Sequence, residues 1–273
     1  MTLHGGKTMA SGWRSGGVQP AGIGRIVVWR GGSIWIGHAG AETDFHAHHA
    51  IQITIALSAG AVRFRRPAEE WTSYASVIIA AHQPHAFEAS GELVAMIFAE
   101  PEWRQGRVLR ERYPAGIEPL AADAFGDDVA QLAAAFHQGA ANDELAARAR
   151  AIPERLTSMQ TAPARPLDKR VERAVEVLRE RLGQTVVMAD VADAVHLSPD
   201  RFRHLFLEET GIRFRPYVLW LRLEVAVALY AAGVSLTDAA HAGGFADSAH
   251  FSRTFKRMFG VPAAGIEPIL GSG

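Results

Sequence analysis

The chain has 273 residues, 48% of them hydrophobic, which suffices for one or two packed domains. The absence of cysteine excludes disulfides and thiolate metal sites, and the formal net charge of −1 gives no overall positive charge for nucleic-acid binding. No run approaches the roughly 18 apolar residues of a membrane span and no charged-then-apolar leader is present, so we expect a cytoplasmic protein without membrane contact.

Residues 1–17 are rich in Gly and Ser and lack periodicity, which predicts a disordered N-terminus. Residues 18–100 contain short apolar runs separated by turn residues, a pattern typical of a small β-barrel or sandwich. The predicted strands are Arg25–Arg30, Ser33–His38, Ala50–Leu57, Ala61–Arg65, Ala75–Ala80 and Leu93–Ala99.

A histidine cluster lies within this β region. His46 and His48 share one face of a strand, Gln52 follows, and His85 lies on a later strand. The spacing is similar to the cupin metal-site pattern, with Gln52 at the position of the glutamate. Imidazoles suit Fe, Ni, Cu or Zn, so a divalent metal is a candidate cofactor. The alternative is that these side chains hydrogen-bond an effector or one another.

Two tryptophans of the predicted strands, Trp29 and Trp35, are candidates for the apolar wall of an effector pocket. Aromatic residues on strands are more often part of a packed core, which we expect for at least one of the two.

Residues 101–160 change to an alanine-rich helical pattern. The predicted helices are Asp127–Gly139 and Asp143–Met159, and we expect Pro153 to break the second one. Their apolar faces fit either packing on the chain's own barrel or dimerisation. Residues 161–166 form a linker by composition.

The C-terminal residues 167–273 contain a helix-turn-helix pattern. Ser235 can cap a first helix, and Gly243-Gly244 can end it. Asp247 and Ser248 supply capping oxygens for a second helix that runs to about Met258. Cationic helix faces are often plain solvated surface, so one such pattern is only moderately specific.

The pattern occurs twice, which strengthens the interpretation. Phe202–Ile212 aligns with Phe251–Val261 at a spacing of 49 residues. Ser198-Pro199 begins the first copy as N-cap and first helical residue. The turn of the first copy is one residue shorter than that of the second, and it has His196 where the second copy has Gly244. A good helix former, Tyr217–Ala231, connects the copies.

The motifs LSPDRFRHLFLEETG and GGFADSAHFSRTFKRMFGVP together resemble the AraC/XylS family of transcription regulators. The resemblance implies an α+β chain of two domains, a cupin-like barrel with following helices and an all-α double helix-turn-helix of seven helices. It also implies promoter DNA, a small-molecule effector and a homodimer as partners. The chain departs from the family at His196, Leu207 and Gly265-Ile266.

The outer faces of the two recognition helices supply the candidate DNA contacts. Arg203 and Arg253 are the first choices for base edges, because arginine donates bidentately to guanine. Asp200 lies among them and fits either cytosine reading or phosphate repulsion. The secondary candidates for base contact are Arg201, His204, Ser248 and His250. The candidates for phosphate contact are Lys256 and Arg257.

Two rival functions remain open at this point. A metal-dependent cupin enzyme, a dioxygenase or isomerase, would use His46, His48, Gln52 and His85. A binding module would use its helix-turn-helix for protein contacts alone. The resemblance favours a DNA-binding regulator and no enzyme activity.

Overall fold

The computed structural model describes residues 21–58, 60–158 and 165–270. Its N-terminal part is a β-rich domain of two sheets. The strands are β1 Gly22–Trp29, β2 Gly32–Ala39, β3 Ile51–Ala56, β4 Val62–Arg65, β5 Thr72–Tyr74, β6 Ser76–Ile79, β7 Ala86–Glu88, β8 Leu93–Ala99, β9 Ile117–Pro119 and β10 Ile266–Pro268.

The larger sheet has the order β10-β1-β2-β8-β3-β6-β9, and the smaller one the order β5-β4-β7. All pairs are antiparallel except β1 with β10. An isolated bridge between His46 and His85 lies outside the strands. Trp35, Phe64 and Phe87 belong to the buried core shared by the two sheets. This architecture confirms the predicted barrel-like domain and all six predicted strands.

Three helices follow the barrel strands: α1 Arg104–Arg112, α2 Asp128–His137 and α3 Asn142–Ser158. The expected break at Pro153 is wrong, because α3 continues through it. A proline inside a helix costs about 3 kcal/mol. Burial of Ile152 and Leu156 against the barrel offsets this cost.

The apolar faces of α2 and α3 pack on the chain's own barrel. Leu132, Leu145 and Ile152 join Ile34 and Ile53 in one buried cluster. These faces were the sequence argument for dimerisation, and the structure uses them within the chain. Dimerisation stays a prediction.

The C-terminal domain contains α4 Lys169–Arg181, α5 Met188–Ala194, α6 Pro199–Thr210, α7 Phe214–Ala231, α8 Leu236–Ala242 and α9 Ser248–Phe259. The family pattern implies seven helices. Within the described residues, a 3₁₀ turn at Ala263–Gly265 and then β10 stand where a seventh would follow α9. The chain end therefore adds a strand to the barrel's sheet.

None of the described helices is long and apolar enough to cross a membrane. The predicted disorder of residues 1–17 lies outside the described residues, as do residues 161–164 of the predicted linker.

Candidate DNA-binding face and effector cavity

Each helix-turn-helix unit is capped as its sequence predicts. Ser198 accepts from the backbone N–H of Arg201 at the start of α6, and Asp247 accepts from that of His250 at the start of α9. Ser248 is the first residue of α9 rather than its cap. A cap satisfies one of the free N–H groups at the helix start, so each recognition helix has a defined beginning.

The turns of the two units share one backbone conformation. Gly244 has φ +78°, and His196 has φ +56° in the first unit. A Cβ at Gly244 would lie 2.7 Å from the Leu182 carbonyl oxygen, so the second turn requires glycine. The first turn places a side chain in the left-handed region instead, and this departure leaves the fold intact.

The outer faces of α6 and α9 are exposed and cationic. Arg201, Arg203, Arg253 and Arg257 all lie on the surface. Arg203 is not free, because its guanidinium lies 2.7 Å from the Asp200 carboxylate. An exposed pair one helical turn apart is worth less than about 1 kcal/mol, so DNA can compete for this arginine.

The remaining predicted DNA contacts are placed less uniformly. His204 is well exposed, with a side chain 71% accessible. Ser248 and His250 are half-buried, and the His250 ring packs 5.2 Å from Phe245. Lys256 Nζ lies 2.9 Å from the carboxylate of Asp44, a residue of the N-terminal domain. A predicted phosphate contact is thus paired with the other domain in this structure.

The inner side of α9 closes a cavity between the two domains. Phe255, Phe259 and Val261 form one part of the wall. Trp35 and Phe98 contribute to the opposite part from the barrel strands. The cavity has a volume of about 110 Å³ and opens to solvent, so it has room for a small apolar molecule.

Some of the predicted effector residues line this cavity, and others lie beside it or outside it. Trp35, His46 and Gln52 line it, and His48 and His85 lie beside His46 with ring centroids 5.9 and 4.2 Å away from it. Trp29 does not line it. Its ring packs instead on the helical side of the sheet, where the Arg150 guanidinium lies 5.9 Å above it.

Three histidines converge as the spacing predicted. Candidate ligand nitrogens of His46, His48 and His85 lie within 4.8 Å of one another, and all three residues are buried. Burial lowers the pKa of His46 and of His48 to about 4, and that of His85 well below its ordinary value. The rings are therefore neutral at pH 7.

Each of these rings is oriented by a backbone carbonyl. The Nδ1–H groups donate over 2.8–2.9 Å, and the pairs are His46 to Asp44, His48 to Ala50 and His85 to Gln83. Each ring therefore keeps an Nε2 lone pair as a possible metal ligand, the arrangement found around metal-bound histidines, although that of His48 faces the Gln52 amide. The Nε2 atom of His85 is buried without a partner.

Gln52 is engaged by its neighbours. Its amide lies 2.8 Å from His48 Nε2 and 2.8 Å from the Thr54 hydroxyl. A neutral His48 that donates through Nδ1 can only accept at Nε2, so the amide NH₂ must face His48 and its oxygen must face Thr54.

The donor set fits a metal chemically. Bonds of about 2.0–2.1 Å would require the ring nitrogens to approach within roughly 4 Å of one another, a small contraction. The metal centre stays a prediction, with His46, His48, Gln52 and His85 as its candidate ligands. A metal on His48 Nε2 would replace the contact that this nitrogen makes with the Gln52 amide.

Sequence reasoning missed a buried polar network between the domains. His49 Nε2 lies 2.8 Å from the Glu102 carboxylate, and the Tyr217 hydroxyl of α7 donates to the same carboxylate at 2.6 Å. Burial by itself raises the pKa of Glu102, but His49 and then Tyr217 lower it below its ordinary value. The network ties the barrel to the helix that connects the two DNA-binding units.

A second missed contact holds α6. The Glu209 carboxylate is buried and lies 2.7 Å from Arg165 and 3.4 Å from Arg107 of α1. A signal was available, because Glu209 follows Phe202 and Phe206 by seven and three residues and so shares their apolar face. A carboxylate on an apolar helix face requires a partner.

The comparisons with known proteins agree with this arrangement. A family model described as "Helix-turn-helix domain" matches residues 191–265. The regulator YidL of Escherichia coli, described as an uncharacterized HTH-type transcriptional regulator, is 33% identical over 37% of this chain and 34% of its own length. YijO of the same species, described likewise, is 34% identical over 30% of this chain and 29% of its own.

Two helix-turn-helix units joined by one long helix, together with these matches, make the C-terminal part of the chain similar to the DNA-binding domains of AraC-type regulators. The chain spans about a third of the length of these curated relatives, and the similarity lies in its C-terminal part.

The whole architecture is similar to ToxT from Vibrio cholerae. The TM-score is 0.56 at 13% identity, over 86% of this chain and 96% of that one. A ToxT structure bound to an unsaturated fatty acid gives a TM-score of 0.53 at 12% identity, over 85% and 92%. At this identity the likeness shows the fold alone, a β-rich domain followed by a helical domain.

Proposed function

We propose that this chain is a sequence-specific DNA-binding transcription regulator controlled by a small molecule bound between its two domains. The observation that carries the proposal is the double use of α9. Its outer face bears Arg253 and Arg257, and its inner face bears Phe255 and Phe259, which line the interdomain cavity. A ligand that moves the inner face of a rigid helix moves the outer face with it.

Arg203 and Arg253 would contact base edges, with Arg201, His204, Ser248 and His250 as further candidates. Lys256 and Arg257 would contact phosphates. Two recognition helices connected by α7 would lie about 34 Å apart in successive major grooves on one side of the duplex. Hydroxyl-radical footprinting should then show two protected segments, and protection of a single groove would contradict this geometry.

The deciding experiment is a DNA-binding titration on the neighbouring intergenic sequence and on a scrambled copy. Arg253→Ala should weaken specific binding by about 1–3 kcal/mol and relax preference at one base pair. Arg173→Ala is the matched control, because Arg173 is an exposed arginine of α4 paired with Glu176. An unchanged ratio of the two affinities in Arg253→Ala would refute its role in base reading.

Small-molecule control is supported by the cavity and by the fold shared with ToxT, of which one structure is bound to an unsaturated fatty acid. The enzyme alternative predicts turnover by wild type that is lost in His48→Ala, without any effect on DNA binding. The protein-contact alternative predicts no DNA binding at all.

A homodimer and a cytoplasmic location are further parts of the proposal. The location follows from promoter DNA as the partner. Light scattering at several concentrations measures the dimer, which would double the footprint described above.

A further inference from the structure

The wall of the interdomain cavity carries no formal charge. Among the described residues that line it, none is Lys, Arg, Asp or Glu. The nearby Lys256 is paired with Asp44 outside the lining, and Arg25 is directed to the Ala140 carbonyl and the Asn142 side chain. His46 also lines the wall, and its Nδ1–H donates to the Asp44 backbone carbonyl.

This wall is unfavourable for an anionic ligand. A carboxylate that enters an apolar cavity loses its hydration and needs a cation or several donors in return. The polar residues of the wall include Ser33, Thr43 and Gln52. Thr43 Oγ1 accepts from the backbone N–H of Phe87, and the Gln52 amide is held by His48 and Thr54. Two of these residues are thus already engaged within the protein.

One buried donor of the wall is unused. Trp35 is 8% exposed, and its indole Nε1–H has no hydrogen-bond partner. An indole N–H is a donor only, and a buried donor left unpaired is rare and costly in a folded protein. A ligand oxygen with a lone pair, such as that of a ketone or ester, would satisfy it.

We infer that the effector is an uncharged, largely apolar molecule with an acceptor oxygen, and that this oxygen accepts from the Trp35 indole. The inference rests on the proposed function, since it concerns the ligand of the same cavity. An uncharged effector would distinguish this chain from a regulator that responds to an anion such as a fatty-acid carboxylate.

The test compares two probes of the same shape, 1-acetonaphthone and 1-naphthoate, by calorimetric titration of the full chain at pH 7 with and without EDTA. The ketone should bind at least about tenfold more tightly, a difference of about 1.4 kcal/mol. Naphthalene, which lacks the oxygen, should bind more weakly than the ketone.

Conservative variants locate the contact. Trp35→Phe keeps a ring in the wall and removes the donor, so it should weaken the ketone severalfold and leave naphthalene unchanged. Trp29→Phe is the matched control, because Trp29 lies on a neighbouring strand and outside the cavity. Met96→Lys places a cation in the wall and should reverse the preference towards naphthoate.

Each other outcome contradicts the inference. Tighter binding of naphthoate by wild type would refute a neutral effector, and EDTA sensitivity of that binding would assign the anion to a metal at the histidines. Equal loss of ketone and naphthalene in Trp35→Phe would refute the hydrogen bond. Failure of both probes to bind at about 1 mM would refute the cavity as a ligand site. DNA binding, measured separately, tests the proposed function: ketone binding without DNA binding would overturn only the latter.

Discussion

Gly260 and Gly211 provide a matched pair for measuring how the second recognition helix docks on the barrel. Both end a recognition helix, with φ +73° at Gly260 and +75° at Gly211. Alanine in this left-handed conformation costs about 1–2 kcal/mol at either position. Any difference between Gly260→Ala and Gly211→Ala therefore measures the surroundings rather than the backbone.

The surroundings differ sharply. A Cβ at Gly260 would lie 2.4 Å from the Asp44 carbonyl oxygen, 2.6 Å from His46 Nδ1 and 2.7 Å from Thr43 Cβ. A Cβ at Gly211 would meet only Arg110 Nη1, at 3.2 Å, which is the far end of a long side chain and can shift more easily than backbone. Gly260→Ala must therefore displace the end of α9 from the barrel.

That displacement has a worked cost. The Asp44 N–H donates to the Gly260 carbonyl at 2.9 Å, a bond worth about 1 kcal/mol. The exposed Lys256–Asp44 pair adds about 0–1 kcal/mol. Gly260→Ala should thus lose about 2–4 kcal/mol, compared with about 1–2 kcal/mol for Gly211→Ala.

Calorimetry combined with small-angle X-ray scattering checks this prediction. At roughly 2–4 °C per kcal/mol, the melting temperature should fall about twice as far for Gly260→Ala as for Gly211→Ala. The radius of gyration should increase only for Gly260→Ala. Equal melting temperatures and equal radii in the two variants would refute the docked position of α9.

Three further predictions concern charge and protonation. Asp44→Asn should release Lys256 and so strengthen binding to DNA of every sequence by up to about 1 kcal/mol. Lys256→Ala should weaken DNA binding and flatten its dependence on salt. Unchanged DNA binding in Asp44→Asn would contradict competition between the Asp44 carboxylate and a DNA phosphate for Lys256. Because His48 is neutral in the fold with a pKa of about 4 and binds a proton when unfolded, stability should fall as the pH drops from about 6.5 towards 4, by about 1.4 kcal/mol per unit for each such histidine. Urea unfolding at pH 7 and at pH 5 measures this loss of stability. The free energy of unfolding of His48→Gln should depend less on pH. A higher stability of the wild type at pH 5 than at pH 7 would refute the prediction. If the histidine cluster holds a metal, elemental analysis of tag-free protein should find it. The metal should be lost in His48→Ala and kept in Gln52→Glu. A full effector response by metal-free protein would show that the histidines act as hydrogen-bonding groups only.

Local chemistry made the DNA-binding helices predictable. Ser198 and Asp247 cap as expected, and the phenylalanines at four-residue spacing mark the buried face of α9. The missed elements lack such signals. α1 has no side-chain cap and few apolar residues, with Val108 and Leu109 buried beside five charged neighbours in the segment Arg104–Arg112.

The short strands were missed for a related reason. β5 and β7 have three residues each, too few for an alternating pattern to show. β9 and β10 form by pairing with distant strands, β6 and β1, so their existence depends on tertiary contacts.

Parts of the candidate site could be predicted, and parts could not. His46 and His48 are two residues apart and come together, although they lie before β3 and not on a strand as the sequence suggested. The approach of His85 depends on a bridge between distant segments. Nothing in the local sequence distinguishes Trp35 in the cavity wall from Trp29 outside it. Phe255 and Phe259 line the cavity only because of the way the two domains dock. Local sequence patterns do not determine that docking.

The short strand β10 gives the DNA-binding domain a second attachment to the barrel. At the other end of that domain, Arg107 of α1 lies 3.4 Å from the Glu209 carboxylate of α6, which also binds Arg165 and the backbone N–H of Asp168 just before α4 begins. At this end, Ile266–Pro268 pairs with Gly22–Gly24 of β1. Between these two ends, the Tyr217 hydroxyl donates to Glu102 and the Asp44 N–H donates to the Gly260 carbonyl. A domain held at both ends and in the middle cannot swing away as it would on one tether. An effector that moves the recognition helices would therefore have to work by small shifts of packed elements rather than by release of the whole domain.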